Sequence, residues 1–374
     1  MKKKILHIIV GLGNGGAENT LFKLLKKSKN KFDTCVLVLG THNSIDWKFN
    51  KEKINIIRIK IKNKFFIIFK ILKIYYLIKR YNPDLIQTWM YHSDFVGSVI
   101  GNFLLKKKVI WCIRHTSLIF FKSKFITIII AKFCSFLSKK FVEQIIYSST
   151  ESKIYHQSIG YDKSKGIEIL NGYDPKDFTY LTSRKDSNKI INLGILANYR
   201  PQKDFPTFFK ALSILNKKKI SFQCIMAGHN IDHKNKQLSL LIKNYNLSNK
   251  IFLLGELKIT KYFFKKIDYL VLSSSFGESF PNVLAEAMLH GIPCVSTEVG
   301  SAKKIINGLG WICKTSDPIG LSKSINQAIK FKLTNIEEYK KLKKKVRSSI
   351  IKRYHIDYMT QNYFNTWEQV LKDD

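Results

Sequence analysis

"DYLVLSSSFGESFPNVLAEAMLHGIPCVSTEVGS" (268–301) reads as one compact strand–loop–helix–strand unit. An apolar run from Tyr269 ends in three serines, and a polar loop carrying Glu278 follows. Pro281 suits the first position of a helix, Gly291 closes that helix after about three turns, and Pro293 leads into a second apolar run from Cys294. Two short apolar strands joined through a helix belong to a parallel sheet with helices packed on it.

Outward from this unit the same alternation runs through most of the chain. Strands are expected at Ile5–Val10, Thr34–Leu39, Ile54–Ile59, Leu85–Thr88, Val109–Ile113 and Gln144–Ser148, with helices such as Ala17–Lys27 and Asp94–Leu105 between them. "LNGYDPKDF" (170–178) and the polar "TSRKDSNK" (182–189) interrupt the pattern as turn and linker. It restarts with strands at Ile190–Leu196, Phe222–Ala227, Ile251–Leu254, Tyr269–Ser273 and Cys294–Thr297. A chain of 374 residues exceeds one ordinary core. The expected fold class is therefore α/β, with two Rossmann-like doubly wound domains facing across a cleft. They span 1–178 and 179–353, and the aromatic-rich helix at 354–374 packs back on the first.

"IIVGLGNGGAENTL" (8–21) places Gly11, Gly13, Gly15 and Gly16 between a strand and a helix, as a dinucleotide-binding turn does. Such a site also needs an acid at the end of the second strand to hold a ribose. "CVLVLGTHN" (35–43) has none before Asp46, which argues against a nicotinamide dehydrogenase. A turn with no ligand remains the plain alternative.

The formal charge is +37, and residues 51–142 carry 19 Lys/Arg against 3 Asp/Glu. Nucleic acid, an anionic membrane surface, and simple codon bias all account for a basic excess. "FFIIFKILKIYYLIKR" (65–80) and "KSKFITIIIAKFCSFLSKKFV" (122–142) are basic and amphipathic. In the second, Ile126, Ile129, Ile130, Phe133, Leu137 and Phe141 form a helical stripe opposite Lys124, Thr127, Ser135 and Ser138. Such helices lie in an anionic interface or pack on a sheet with their lysines solvated. The start "MKKKILHIIVGLG" imitates a signal peptide but reads better as a first strand. No run of apolar residues is long enough to span a membrane. Six scattered cysteines without C-x-x-C spacing read as small core residues in a reducing compartment.

Glu278 precedes the helix of the opening stretch, and Glu286 follows eight positions on. The helix's first amides, around Phe280 to Val283, carry the positive end of its dipole. A diphosphate fits there, with carboxylates placed for the hydroxyls of attached sugars. Read alone, the pair is equally two solvated glutamates near a helix start.

The stretch resembles the E-x7-E signature of the family 4 retaining glycosyltransferases, of the GT-B fold. The resemblance extends to "GLGNGGAE", "NPDLIQTWMYHSDFVG" (82–97), "VIWCIRHTS" (109–117), "ILNGYDPKDF" (169–178) and "PQKDFPTFFKAL" (201–212). It implies that Glu278 contacts the donor sugar near the reacting carbon and that Glu286 holds the ribose. Lys203 would neutralise the donor phosphates, and Ser279, Phe280, Pro281, Asn282 and Val283 would supply amides to the same oxygens. His115 would meet the sugar from the first domain. The glycine loop, Gly13, Gly15 and Gly16, would meet the diphosphate or the acceptor. Where the family has an arginine before the lysine, "GILANYRPQKD" (194–204) has Asn198, and Arg200 is expected to substitute.

The expected function is retaining transfer of a hexose-type sugar from a nucleotide diphosphate donor, UDP-sugar first, to a lipid-linked (polyprenyl-diphosphate) glycan in bacterial surface polysaccharide synthesis. No cofactor, no metal and no nucleic acid are implied. The expected place is the cytoplasmic face of the plasma membrane, bound peripherally to its anionic surface. A nucleotide-sugar epimerase of the same fold and a non-catalytic relative are the alternatives.

Overall fold

A computed structural model describes residues 1–13, 15–59, 67–116, 118, 125–181, 190–257 and 259–372, with backbone alone at 67 and 68. Asn14 of the glycine loop, the 182–189 linker, and the first residues of the 65–80 and 122–142 stretches lie outside the described residues. The chain divides into two units: Met1–Gly172 with Ile356–Asp374, and Tyr173–His355.

In unit 1 the strands are β1 (Lys4–Ile9), β2 (Asp33–Val38), β3 (Asn55–Arg58), β4 (Leu85–Trp89), β5 (Lys108–Ile113), β6 (Gln144–Tyr147) and β7 (Gly166–Glu168). Among the described residues they form one parallel sheet in the order β3-β2-β1-β4-β5-β6-β7. All of β4, and β1 from Ile5 onward, are buried, as strands covered on both faces must be. The strand order reverses between β1 and β4, and in such sheets ligands bind beyond the strand ends at that point. The connecting helices are α1 (Gly16–Ser28), α2 (Asp46–Lys51), α3 (Ile67–Tyr81), α4 (Tyr91–Val96), α5 (Phe125–Lys140) and α6 (Thr150–Ser158).

Beyond α4 the chain continues as a π-helical stretch, Gly97–Leu104, where the sequence reads as ordinary helix. Gly97 and Gly101 lie one turn apart against β4. A Cβ on Gly97 would overlap the Thr88 methyl, and one on Gly101 would come within 2.6 Å of Ile86 Cδ1. The absent side chains let this turn sit directly on the sheet.

The apolar stripe read along α5 divides between an outward and an inward face. Ile126, Ile129 and Phe133 point to solvent, together with Phe125 and Phe136, whereas Ala131, Cys134, Leu137 and Ser138 are buried. The burial of Ser138 corrects its assignment to the polar side. Its hydroxyl donates to Ser135 O and accepts from Asp162 N at 3.0 Å, so burial leaves it satisfied.

Unit 2 repeats the architecture with β8 (Ile191–Leu196), β9 (Phe222–Ala227), β10 (Ile251–Leu253), β11 (Tyr269–Leu272), β12 (Cys294–Thr297) and β13 (Trp311–Cys313). Its described strands are parallel in the order β10-β9-β8-β11-β12-β13. The helices are α7 (Phe205–Lys217), α8 (Lys236–Asn244), α9 (Lys261–Phe264), α10 (Asn282–Leu289), α11 (Ala302–Ile306), α12 (Pro318–Thr334) and α13 (Ile336–Arg353). Phe205, Phe208, Phe209 and Leu212 of α7 pack into a core shared with β8, β9 and α12. Gly291 closes α10 with φ +78°, the left-handed conformation expected of it.

The last helix, α14 (Ile356–Lys372), belongs to unit 1 and touches α1. Trp367 is fully buried there. Its Nε1 donates to Gln87 Oε1 at 2.6 Å and its ring meets Phe32 edge-on at 5.1 Å. Tyr363 stacks on Trp89 with centroids 6.3 Å apart. Trp367→Ala is expected to destabilise unit 1 by about 3–5 kcal/mol, because it opens a cavity and takes the Trp367 donor from buried Gln87 Oε1. Urea unfolding followed by amide exchange in β1 and β4 measures this.

Candidate functional site

The predicted donor residues follow the C-terminal ends of β8 and β11. After β8 the chain makes a 3-10 turn, Pro201–Lys203, and enters α7 through Asp204. Asp204 caps α7, its Oδ1 accepting from Thr207 N at 3.3 Å, while Oδ2 accepts from Ser316 Oγ at 3.2 Å. This capped turn fixes the backbone of Lys203. Ser273 Oγ donates to Lys203 O at 2.7 Å, and Ser275 N donates to Gln202 O at 2.9 Å.

Glu278 rises from the loop after β11 and forms an ion pair with Lys203. The two side chains are 18% and 17% exposed, so water reaches the pair only partly. Ser274 Oγ donates to the same carboxylate oxygen at 2.9 Å, and Thr297 Oγ1 holds Ser274 O at 2.6 Å. Behind the loop, Ser301 N donates to Ser279 O at 2.9 Å. Gly300 makes this approach possible: at φ +48°, a Cβ there would overlap Glu278 O. Two residues 75 positions apart are thus set against each other by hydrogen bonds to the Lys203 carbonyl, the Glu278 carboxylate and the Ser279 carbonyl.

Glu286 lies one turn into α10 and is half-buried. Pro281 is the residue before the helix, with ψ 90°, rather than its first residue. It also has no N–H, so it donates nothing to a ligand, and the expected amide set shrinks to Ser279, Phe280, Asn282 and Val283. The Asn282 side chain accepts from Tyr173 OH at 2.5 Å, and Phe280 packs edge-on against Tyr354 at 5.2 Å. Asn198 serves the loop itself, its Oδ1 accepting from His229 N at 3.1 Å. Arg200 is exposed, and among the described residues its side chain makes no hydrogen bond or ion pair.

The other predicted residues belong to unit 1. His115 follows β5 and is half-buried, its carbonyl accepting from Ser152 Oγ at 2.6 Å. Below it, burial lowers the His156 pKa to about 4, so His156 meets Tyr91 OH as a neutral ring at 2.8 Å. Gly13 and Gly15 lie before α1, and Gly16 begins it. The loop is braced by Leu12 N donating to His42 O at 2.9 Å and Ile45 N donating to Leu12 O at 3.1 Å. The Glu18 carboxylate folds over Gly15, where a Cβ would overlap it. A negative group therefore already occupies the positive end of α1.

Several residues have roles that motif reading did not assign. Ser273 and Ser274 hold the Lys203–Glu278 pair, and their only signal was a serine cluster at a strand end. Arg114 Nη2 donates to Thr20 Oγ1 at 3.3 Å and Nη1 to Tyr363 OH at 3.4 Å, tying α1 to α14 beside His115. No spacing marks that contact.

Residues 175–349, just under half of the chain, match the family model described as Glycosyl transferases group 1. An uncharacterized glycosyltransferase of Methanocaldococcus jannaschii is 29% identical over 273 residues, 67% of this chain and 65% of its own length. The chain thus spans less than two thirds of that relative. A glycosyltransferase structure from Rickettsia africae superposes with TM-score 0.82 at 20% identity, covering both chains fully. An Anabaena protein, HepE, in complex with UDP and glucose superposes with TM-score 0.82 at 17% identity, over 98% of this chain and 100% of its own. Both structural likenesses establish the fold, two Rossmann-like domains of the GT-B class.

Proposed function

We propose, from the premise of a group 1 glycosyl transferase segment at residues 175–349, that this chain is a retaining glycosyltransferase. It moves a hexose-type sugar from a nucleotide diphosphate donor to a lipid-linked saccharide acceptor of a bacterial surface polysaccharide. The observation that carries the reading is the braced Lys203–Glu278 pair at the sheet edge of unit 2, in the loops leading into α7 and α10.

Lys203 takes the donor phosphates, with the amides of Ser279, Phe280, Asn282 and Val283 at the start of α10. Both stabilise charge developing on the leaving diphosphate, so metal chemistry is not invoked. Exposed Arg200 supplies a second cation. Glu278 accepts from sugar hydroxyls, and Glu286 holds the ribose. No carboxylate is assigned the role of nucleophile. The acceptor oxygen is therefore taken to attack from the face the diphosphate leaves, its proton passing to the departing phosphate. His115 is assigned to the sugar. The glycine loop is assigned to the acceptor, since Glu18 disfavours a diphosphate at α1. The UDP complex of the Anabaena protein makes uracil the first base to test. The epimerase alternative is not favoured by a match to glycosyl transferases.

Unit 1 supports a membrane-bound acceptor. Phe69, Leu72 and Tyr76 of α3 and Phe125, Ile126, Ile129, Phe133 and Phe136 of α5 are exposed. They stand among Lys70, Lys73, Lys79, Arg80, Lys132, Lys139 and Lys140, and no acidic residue occurs between Glu52 and Asp84 or between Asp94 and Glu143. Among the described residues no helix is long and apolar enough to cross a membrane. Apolar side chains ringed by cations suit the headgroup layer of an anionic leaflet, here the inner face of the plasma membrane.

Two measurements test the reading. A screen of UDP-, GDP-, ADP- and dTDP-sugars should release nucleoside diphosphate from one base class; no turnover of any would overturn the activity. Flotation with phosphatidylglycerol vesicles should carry the protein at moderate salt, and the double variant I129D/F133D should partition at least about tenfold less. A protein that ignores such vesicles has no membrane acceptor face.

A further inference from the structure

Lys203 and Glu278 hold each other here, in the site that the reading above gives to a donor. The contact is built rather than incidental. Ser274 Oγ donates to the same carboxylate oxygen that Lys203 contacts, while Ser273 Oγ and Ser275 N fix the turn carrying Lys203. A phosphate brought to Lys203 therefore arrives beside a carboxylate already aimed at that cation. In a partly water-excluded site two like charges so close repel strongly.

A nucleotide sugar brings its own compensation. Its hydroxyls donate to Glu278 and replace the hydrogen bond that Lys203 surrenders to the phosphate. A nucleoside diphosphate has no such donors, and its terminal phosphate bears more negative charge. We propose that Glu278 sets the site's preference for the intact donor over the spent nucleoside diphosphate. The Lys203–Glu278 ion pair is the resting state that re-forms as product leaves. This rests on the donor-site reading, and it gives Glu278 a second task at the point where the sugar has gone.

Inorganic pyrophosphate, which has neither base nor sugar, is the deciding probe, measured by calorimetry on the parent, E278Q, S274A and K203M. Glu278→Gln keeps the shape and removes the charge, and equal unfolding temperatures confirm that the variants are folded. Pyrophosphate should bind E278Q about tenfold more tightly than the parent. S274A, which frees the carboxylate to swing away, should show a smaller gain in the same direction. With UDP and UDP-glucose as second probes, E278Q should move the ratio of the two dissociation constants toward UDP by at least about tenfold. K203M should lose pyrophosphate binding. If E278Q binds pyrophosphate no better than the parent while K203M loses it, the selectivity proposal falls and the phosphate site stands. If K203M binds it as the parent does, the phosphate site falls as well.

Discussion

Glu278→Ala removes sugar transfer, lowering kcat/KM by about 10³-fold, while unfolding stays within a few degrees of the parent. The two halves of this expectation have different origins. Lys203 and Glu278 keep partial access to water, and the alanine variant opens space beside Lys203 in which water solvates the remaining ammonium, so the cost in stability is small. On the proposed reading, the catalytic loss comes from removing an oriented acceptor from the donor sugar, a position no solvent molecule reproduces. Product formation from the donor found in the screen, measured beside a thermal melt, checks both. Full activity in the alanine variant would take Glu278 out of the reaction.

Gly300→Ala is the second large effect, and it falls on a residue with no side chain to lose. At φ +48° a Cβ is strained in itself, and here it would overlap Glu278 O and stand 2.7 Å from Ser279 O. Both obstacles are backbone, so the loop must move and the Ser301 N to Ser279 O bond is lost with it. The expected cost is about 2–4 kcal/mol of stability. Activity should fall about 10²-fold, because the carboxylate and the amides of the α10 entrance are displaced together. Gly308→Ala is the control. It has φ +74° but open space around it, so it should show the strain alone and keep its activity. Denaturant unfolding and donor turnover on the pair separate strain from displacement.

Most of the fold was legible because parallel strands buried on both faces write themselves as apolar runs, as in β1, β4 and β11. The three-residue strands β7 and β13 escaped, since "GIE" and "WIC" are too short to show any period. Which way Ile126, Ile129 and Phe133 face stayed open in the sequence for a different reason. Periodicity finds an apolar stripe but does not say whether a sheet or solvent faces it, and α5 carries apolar residues on both sides. The residues assigned to a donor stand out as a motif, whereas the pairing of Lys203 with Glu278 does not. Lys203 and Glu278 meet only because β8 and β11 are neighbours in the sheet, a fact of topology. Pro281 shows the reverse failure: a motif position was given a hydrogen bond that its ring nitrogen cannot make.

The return of α14 to unit 1 has a consequence for how the chain is made. Synthesis delivers β1 through β7 first, yet the wall that covers Gln87 and Trp89 is encoded at residues 356–372, after the whole of unit 2. A nascent chain therefore holds a half-finished core with aromatic surface bare until residues 356–372 have followed the whole of unit 2 off the ribosome. Unit 2, continuous in sequence, has every part it needs before then. Late completion leaves unit 1, of the two units, exposed for longer during translation, with its core closed only when Tyr363 and Trp367 arrive.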